Sequence, residues 1–137
     1  VSNISVVLFG KANHSGTTPM DMRADAFAGL AHFATRIPDI IERHGTDQSR
    51  ITIGQVELEP NFAHTIPGKA VFSVITRDTD ETVQSHLLSV VKREIKEAAK
   101  AHDLAWDIEE KSWLSPVSLD GGLATILAEH AETGYSL

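Results

Sequence analysis

Segment 10–26 carries the densest group of residues that could do chemistry. It reads Gly-Lys-Ala-Asn-His-Ser-Gly-Thr-Thr-Pro-Met-Asp-Met-Arg-Ala-Asp-Ala, so His14 leaves a β-rich run and small hydroxyl residues precede a helical pattern. Hydrogen-bond donors and a helix N-terminus at one point suit an anion. A capped turn, in which Thr17 or Thr18 satisfies backbone groups, explains the same residues equally well.

A second group of candidate residues lies in segment 60–68 and at the end of the run that follows it. Asn61 and His64 stand between two prolines, and Arg77 comes nine residues after Gly68. An arginine at a strand end is either an ordinary surface charge or a bidentate clamp for a carboxylate. The residues alone leave both interpretations open.

Other common catalytic patterns are missing from the sequence. The seven histidines show no metal-ligand spacing, and the four on predicted helices, His32, His44, His86 and His102, are expected to be ordinary surface side chains. There is no cysteine, no phosphate-binding loop and no Gly-x-Ser-x-Gly nucleophile elbow. We therefore expect this segment to hold no metal and to be inactive alone.

Composition narrows the partners. A net charge of -7 with scattered Lys and Arg argues against nucleic acid. No apolar run is long enough to span a membrane, and the first residues lack a secretory pattern. The absence of cysteine fits a cytoplasmic protein.

Apolar periodicity predicts which elements position the candidate residues. Residues 4–13 alternate as a strand that ends at Gly10 or just after, and a helix runs from about Arg23. Pro38 should kink or restart that helix, and Gly45 should stop it. Its predicted buried stripe is Phe27, Leu30, Ala34, Ile37 and Ile41.

Three more strands and a second helix complete the pattern. Strand 50–59 changes phase between Ile53 and Val56, so we expect a bulge at Gly54-Gln55. Strand 69–77 follows, and then a helix capped within 78–80. The predicted buried stripe of that helix is Val83, Leu87, Val90 or Val91, and Ile95. The last strand is 104–113. This β-α-β-β-α-β order predicts an α+β, ferredoxin-like fold with a four-stranded antiparallel sheet and two helices on one face.

The last part of the chain departs from that pattern. Residues 115–120 are expected to form a linker, and residues 122–131 a short amphipathic helix. We expect residues 1–114 to form one domain and residues 115–137 to begin the return into another domain.

The motifs quoted above resemble a known family. The pattern is similar to the lid domain of N-carbamoyl-L-amino-acid hydrolases, allantoate amidohydrolases and β-ureidopropionases. These enzymes are relatives of aminoacylases and carboxypeptidase G-like zinc peptidases. The residues that carry the resemblance are Gly-x-Ala-x-His-x-Gly-Thr-Thr-Pro-Met-x-x-Arg-x-Asp-Ala, then Pro-Asn-x-x-x-x-Ile-Pro-Gly, and then Arg-Asp. The resemblance covers roughly residues 4–113.

The resemblance implies a lid and dimerisation domain that closes over an active site built elsewhere in a longer enzyme. There, two divalent metals, zinc, manganese or cobalt, would activate the water that attacks the ureido carbon. His14 matches the lid histidine that hydrogen-bonds the scissile group, often in the partner subunit, and Arg77 matches the arginine that binds the substrate carboxylate. Thirteen residues before that arginine the family usually has asparagine. This sequence has His64, and Asn61 lies nearby.

Dimerisation also has a physical reason. Strand 50–59 is an edge in this topology, and pairing it with its copy would make one sheet, flanked by helix 23–44. Two alternatives stay open: a stand-alone ferredoxin-like module that binds a small molecule or regulates, and a purely structural dimerisation module. Both treat His14 and Arg77 as ordinary surface residues.

Overall fold

The computed structural model describes residues 1–113; the predicted linker and tail helix lie outside these residues. The elements are β1 (Ser2–Phe9), a short 3-10 helix (Met20–Met22), α1 (Ala26–His44), β2 (Arg50–Glu59), β3 (Lys69–Arg77), α2 (Glu81–Ala101) and β4 (Ala105–Trp113). The predicted α+β, ferredoxin-like order is confirmed. Within the described part of the chain, no helix is both long enough and apolar enough to cross a membrane.

The four strands form one antiparallel sheet in the order β2-β3-β1-β4. Phe9 pairs with Lys69, so the end of β1 and the start of β3 lie at the same end of the sheet. Ser2 pairs with Thr76 at the opposite end. β2 is an edge strand, as predicted, and β4 forms the other edge.

The predicted bulge in β2 is confirmed. The register between β2 and β3 shifts between Ile53 and Val56, which leaves Gly54 and Gln55 without a one-to-one partner. The extra residue restores the alternation, so Ile51, Ile53 and Leu58 are all partly buried against the core.

The core lies between the two helices and one face of the sheet. The inward residues of β1 and β3 alternate strictly, and Ile4, Val6, Leu8, Phe72 and Val74 are essentially inaccessible to solvent. The buried stripe of α2 follows the prediction, with Leu87, Val90, Val91 and Ile95 buried and Val83 packed at its margin. Apolar burial on this scale drives the folding of the domain.

Helix α1 begins later than predicted and ends where predicted. It begins at Ala26 rather than near Arg23, because Asp25 is the N-cap and accepts hydrogen bonds from the backbone N–H groups of Phe27 and Ala28. It continues through Pro38 to His44 as one helix, so Pro38 does not restart it. A proline removes only one backbone donor, and packing on both sides of it holds the helix together. Gly45 ends it as predicted, donating to the carbonyl of Ile41.

The buried stripe of α1 is also rotated from the predicted one. Its buried members are Ala26, Gly29, Leu30, Phe33 and Ile40, with Ile37 packed against them. Phe27 is 45% exposed, and Ala34 and Ile41 are only partly buried. A wide apolar arc on the sequence therefore serves two surfaces: one faces the core and the other remains accessible.

Asp78 is a buried carboxylate that connects the loop between α1 and β2 to the end of β3 and the start of α2. It accepts hydrogen bonds from the hydroxyls of Ser49 (2.6 Å) and Thr46 (2.7 Å) and from the backbone N–H of Asp80 (2.7 Å). Burial acts to raise the pKa of Asp78, but these hydrogen bonds to the charged form outweigh it and lower that pKa. Asp78 therefore has a structural role beside Arg77.

We expect Asp78→Ala to destabilise the chain by about 2–3 kcal/mol at neutral pH, because hydrogen bonds to a charged group contribute strongly. A lowered folded-state pKa stabilises the protein above the unfolded value of about 4 and is lost as the pH falls through the folded value. Urea denaturation from pH 7 to about pH 3 checks this, with Asp107→Ala as the exposed control. A cost that did not shrink in acid would contradict the assignment.

Candidate functional site

The two candidate segments meet at one end of the sheet. Beyond β1 and before β3 the chain stays paired, through a bridge between His14 and Thr65 and hydrogen bonds from Ser15 N to the His64 carbonyl and from Ile66 N to the Asn13 carbonyl, each 2.9 Å. The structure thus brings together His14 and His64, which the sequence offered as separate candidates. Both side chains are exposed.

The hydrogen bonding of His14 fixes what its ring can do. The backbone N–H of Gly16 donates to Nδ1 of His14 at 3.0 Å. Because an amide nitrogen can only donate here, Nδ1 carries the lone pair and the proton of the neutral ring lies on Nε2. The exposed Nε2–H is then free to donate to a ligand. Gly16 itself is tightly placed, since a Cβ there would lie 3.1 Å from Cε1 of His14.

Arg23 holds the loop that carries His14. Its guanidinium donates from Nη2 to the Ser15 carbonyl (2.8 Å) and from Nε to the Thr18 carbonyl (3.2 Å), and the Thr18 hydroxyl donates to the His14 carbonyl (2.9 Å). The sequence analysis placed Arg23 at the start of the helix and within the family motif, but it assigned this residue no role. The motif that contains both His14 and Arg23 was the signal that could have identified it.

The helix N-terminus next to this loop is not an anion site. Asp25 satisfies the N–H groups of Phe27 and Ala28, and the N–H of Ala26 donates to the Pro67 carbonyl. These first-turn donors are used, and the capping carboxylate would repel an anion. Of the two interpretations of segment 10–26, the structure favours the capped turn for its hydroxyl and acidic residues, while His14 remains available.

Asn61 lies in the same loop as His64. It adopts a left-handed backbone conformation (φ 61°), which asparagine tolerates better than most residues, and its side chain is exposed. Phe62 beside it is 70% exposed, and so are Met20 (78%) and Met22 (72%) on the short 3-10 helix. This end of the sheet therefore presents polar donors among accessible apolar side chains.

Arg77 lies at the opposite end of the sheet. It is the last residue of β3, it is exposed, and it pairs in register with Arg50 on β2. Eight residue steps separate it from Lys69 at the His14 end, which is about 26 Å of extended strand. The structure therefore does not bring Arg77 to His14, His64 and Asn61 within one protomer. Arg50 and Arg77 together place two positive charges at this end of the sheet, which suits a carboxylate.

The described residues do not fit the two-metal centre that the resemblance implies. Across residues 1–113, no group of three or more His, Asp or Glu side chains could hold a metal ion. No chemical step is therefore assigned to a metal within this part of the chain.

Four histidines predicted as separate surface residues form two pairs instead. Nδ1 of His44 lies 3.1 Å from Nε2 of His86, and Nδ1 of His32 lies 3.1 Å from Nε2 of His102. Each pair joins α1 to α2 or to the residue that caps its end. Periodicity within one helix could not reveal them, because the pairing depends on how the two helices pack.

Comparison with known proteins identifies the family to which this domain belongs. The family of peptidase dimerisation domains matches residues 2–107. The chain is 30% identical over 128 residues to allantoate amidohydrolase of Escherichia coli (strain K12), which covers 93% of this chain and 31% of that protein. It is 28% identical over 137 residues to N-carbamoyl-L-amino-acid amidohydrolase of Rhizobium meliloti, covering 97% of this chain and 32% of that protein.

Solved structures agree. An amidase of the hydantoinase/carbamoylase family from Burkholderia multivorans superposes with a TM-score of 0.80 at 25% identity, covering 96% of this chain and 32% of that one. The chain thus spans about a third of the relatives that it matches. The resemblance seen in the motifs is confirmed: the chain belongs to the family of peptidase dimerisation domains, with relatives named as allantoate and N-carbamoyl-amino-acid amidohydrolases.

Proposed function

We propose that this chain is the dimerisation and substrate-binding lid of a dinuclear-metal amidohydrolase that cleaves the C–N bond of N-carbamoyl amino acids, allantoate or similar ureido acids. Its coverage of about a third of its relatives supports a lid within a longer enzyme. The observation that carries the substrate role is the ring of His14, preset by Gly16 as an exposed Nε2–H donor. Such a donor suits an oxyanion that develops during hydrolysis.

The two ends of the sheet have different roles in this proposal. His14, with His64 and Asn61 beside it, contacts the scissile end of the substrate, and Arg77 binds its carboxylate. About 26 Å of strand separates the two ends, which a small ureido acid cannot span. One active site can therefore use both groups only if they come from different protomers.

A two-fold axis beside β2 brings those groups together. Suppose that the axis is perpendicular to the sheet, so that β2 pairs antiparallel with its copy. The partner's β3 then runs opposite to β3, so the partner's Arg77 lies at the same end of the combined sheet as His14. His14 continues the line of β1, and four strand spacings, about 19 Å, separate β1 from the partner's β3. Loop and side-chain reach plus a bound substrate can bridge that gap.

Helix α1 supports this interface. Its accessible apolar residues Phe27, Ala34 and Ile41 recur every seven positions and so form one stripe. His32 and Arg36 on the other flank contact α2 through His102 and Glu94. The apolar stripe therefore lies on the flank away from α2, beside the edge strand. Val56 on β2 adds another exposed apolar side chain, 46% accessible.

We expect Ala34→Glu to weaken the dimer about tenfold or more, since an unpaired charge in an apolar interface costs well over 1.4 kcal/mol. Thr52→Pro on the edge strand should act the same way by preventing strand addition. Sedimentation equilibrium measures the dissociation constant, with Ser89→Glu on the exposed face of α2 as control. A dimer that survived both changes would place the interface elsewhere.

The full-length protein tests the function itself. It should release product from at least one of N-carbamoyl amino acids, allantoate and β-ureido acids, and lose that activity on chelation of divalent metals. The 137-residue chain alone should release none. The family resemblance implies asparagine at the position of His64, so His64 should affect the substrate preference, and His64→Asn should shift that preference. Saturable ligand binding by the chain alone, without hydrolysis by the full-length protein, would instead indicate a stand-alone binding module.

A further inference from the structure

The paired histidines His44 and His86 lie on the helix layer, on the far side of the core from the open face of the sheet. His44 is the last residue of α1, and His86 lies in the second turn of α2. Nδ1 of His44 and Nε2 of His86 face each other at 3.1 Å, and the ring centroids are 5.1 Å apart. The proposed lid function uses neither residue.

This spacing matches two chemical arrangements. One is a direct hydrogen bond between the rings. The other is a shared metal ion: two imidazole nitrogens on a tetrahedral zinc with bonds of about 2.0–2.1 Å lie about 3.3 Å apart. Metal binding therefore needs only a small separation of the rings. In both cases the two facing nitrogens are those that would act as ligands.

The surroundings favour a cation at this pair. His44 ends α1, where the last backbone carbonyls carry partial negative charge. His86 lines an open depression together with Glu81, whose carboxylate adds further negative charge. The depression is open to water, so water can reach the remaining coordination positions of an ion held by the two rings. Among residues 1–113 no group of three or more ligand side chains could hold a metal ion, so the ion would have these two rings as its protein ligands.

The second pair provides an internal comparison. His32 and His102 have the same nitrogen separation, but both rings are partly buried, whereas His86 of the first pair is exposed, and the rings of His32 and His102 are perpendicular (89°). Burial leaves less room for the waters that would complete a coordination sphere. This pair is therefore a hydrogen bond between the helices, and it supplies matched control variants.

We propose that His44 and His86 form a two-nitrogen site for a divalent ion that imidazole favours, such as Zn²⁺, and that the bound ion clips the end of α1 to the start of α2. The site is independent of the proposed lid function, because it rests on the helix layer alone. A bound ion would stabilise the folded chain, since the unfolded chain does not hold the two rings together.

Calorimetric titration of the 137-residue chain with Zn²⁺ tests the proposal. One ion should bind saturably, and ¹⁵N signals of His44 Nδ1 and His86 Nε2 should shift together. His44→Gln and His86→Gln should each abolish that binding, while His102→Gln leaves it intact; circular dichroism confirms that each variant folds. Binding that persisted in His86→Gln, was lost in His102→Gln, or was absent from the unmodified chain would overturn the proposal.

Discussion

In the proposed full-length amidohydrolase, replacing His14 by alanine should lower kcat by about 10²–10³-fold while leaving the dimer intact. Removing one preset donor to a developing oxyanion has a cost of this size. The effect should fall mainly on kcat, because the donor contributes most when charge develops in the transition state. His14 is exposed, so the fold should tolerate the change.

Two further variants separate a donor role from a structural one. His14→Gln keeps an N–H donor of similar reach and should recover part of the lost turnover. Lys96→Ala, on the exposed face of α2, should leave kcat unchanged and serves as the general control. If His14→Ala turned over substrate at the rate of the unmodified enzyme, the lid histidine would have no catalytic role, and the domain would act only in dimerisation.

The sequence predicted the fold almost completely, because its alternation is strong where strands are half-buried. The phase change across Gly54 and Gln55 also predicted the bulge. Side chains in a strand alternate between the two faces, so one extra residue is needed to return the apolar residues to the same face. The start of α1 was missed by about three residues. The helical pattern began at Arg23, but Asp25 is the residue whose carboxylate caps the helix.

What the sequence could not predict depends on contacts between distant segments. The apolar arc of α1 was too wide to show which part faces the core, so Phe27 was assigned to the interior although it is 45% exposed. Likewise, His14 and His64 are fifty residues apart, and only the pairing of the loops flanking β1 and β3 brings them together. The distance between His14 and Arg77 required the register of β3 against its neighbours.

The proposed division of the site between protomers leads to the second large effect. We expect His14→Ala and Arg77→Ala enzymes to be strongly impaired alone, yet a heterodimer of the two to recover about half of the unmodified activity. In the proposed two-fold dimer, one site combines both altered residues, and the other combines an intact His14 with an intact Arg77 from the partner. Activity recovers because one of the two sites in the heterodimer contains both intact residues, without any new contact.

Differently tagged subunits, co-expressed and purified through both tags, provide the heterodimer for steady-state kinetics. The recovered site should have the KM of the unmodified enzyme, because it contains both intact groups, whereas the Arg77→Ala homodimer should show a raised KM from its missing carboxylate clamp. A His14→Ala, Arg77→Ala double variant paired with an unmodified subunit is the matched control. It leaves each site with one altered residue and should stay impaired. If this control were active and the first heterodimer inactive, His14 and Arg77 of the same protomer would act in one site. The proposed division between protomers would then be wrong.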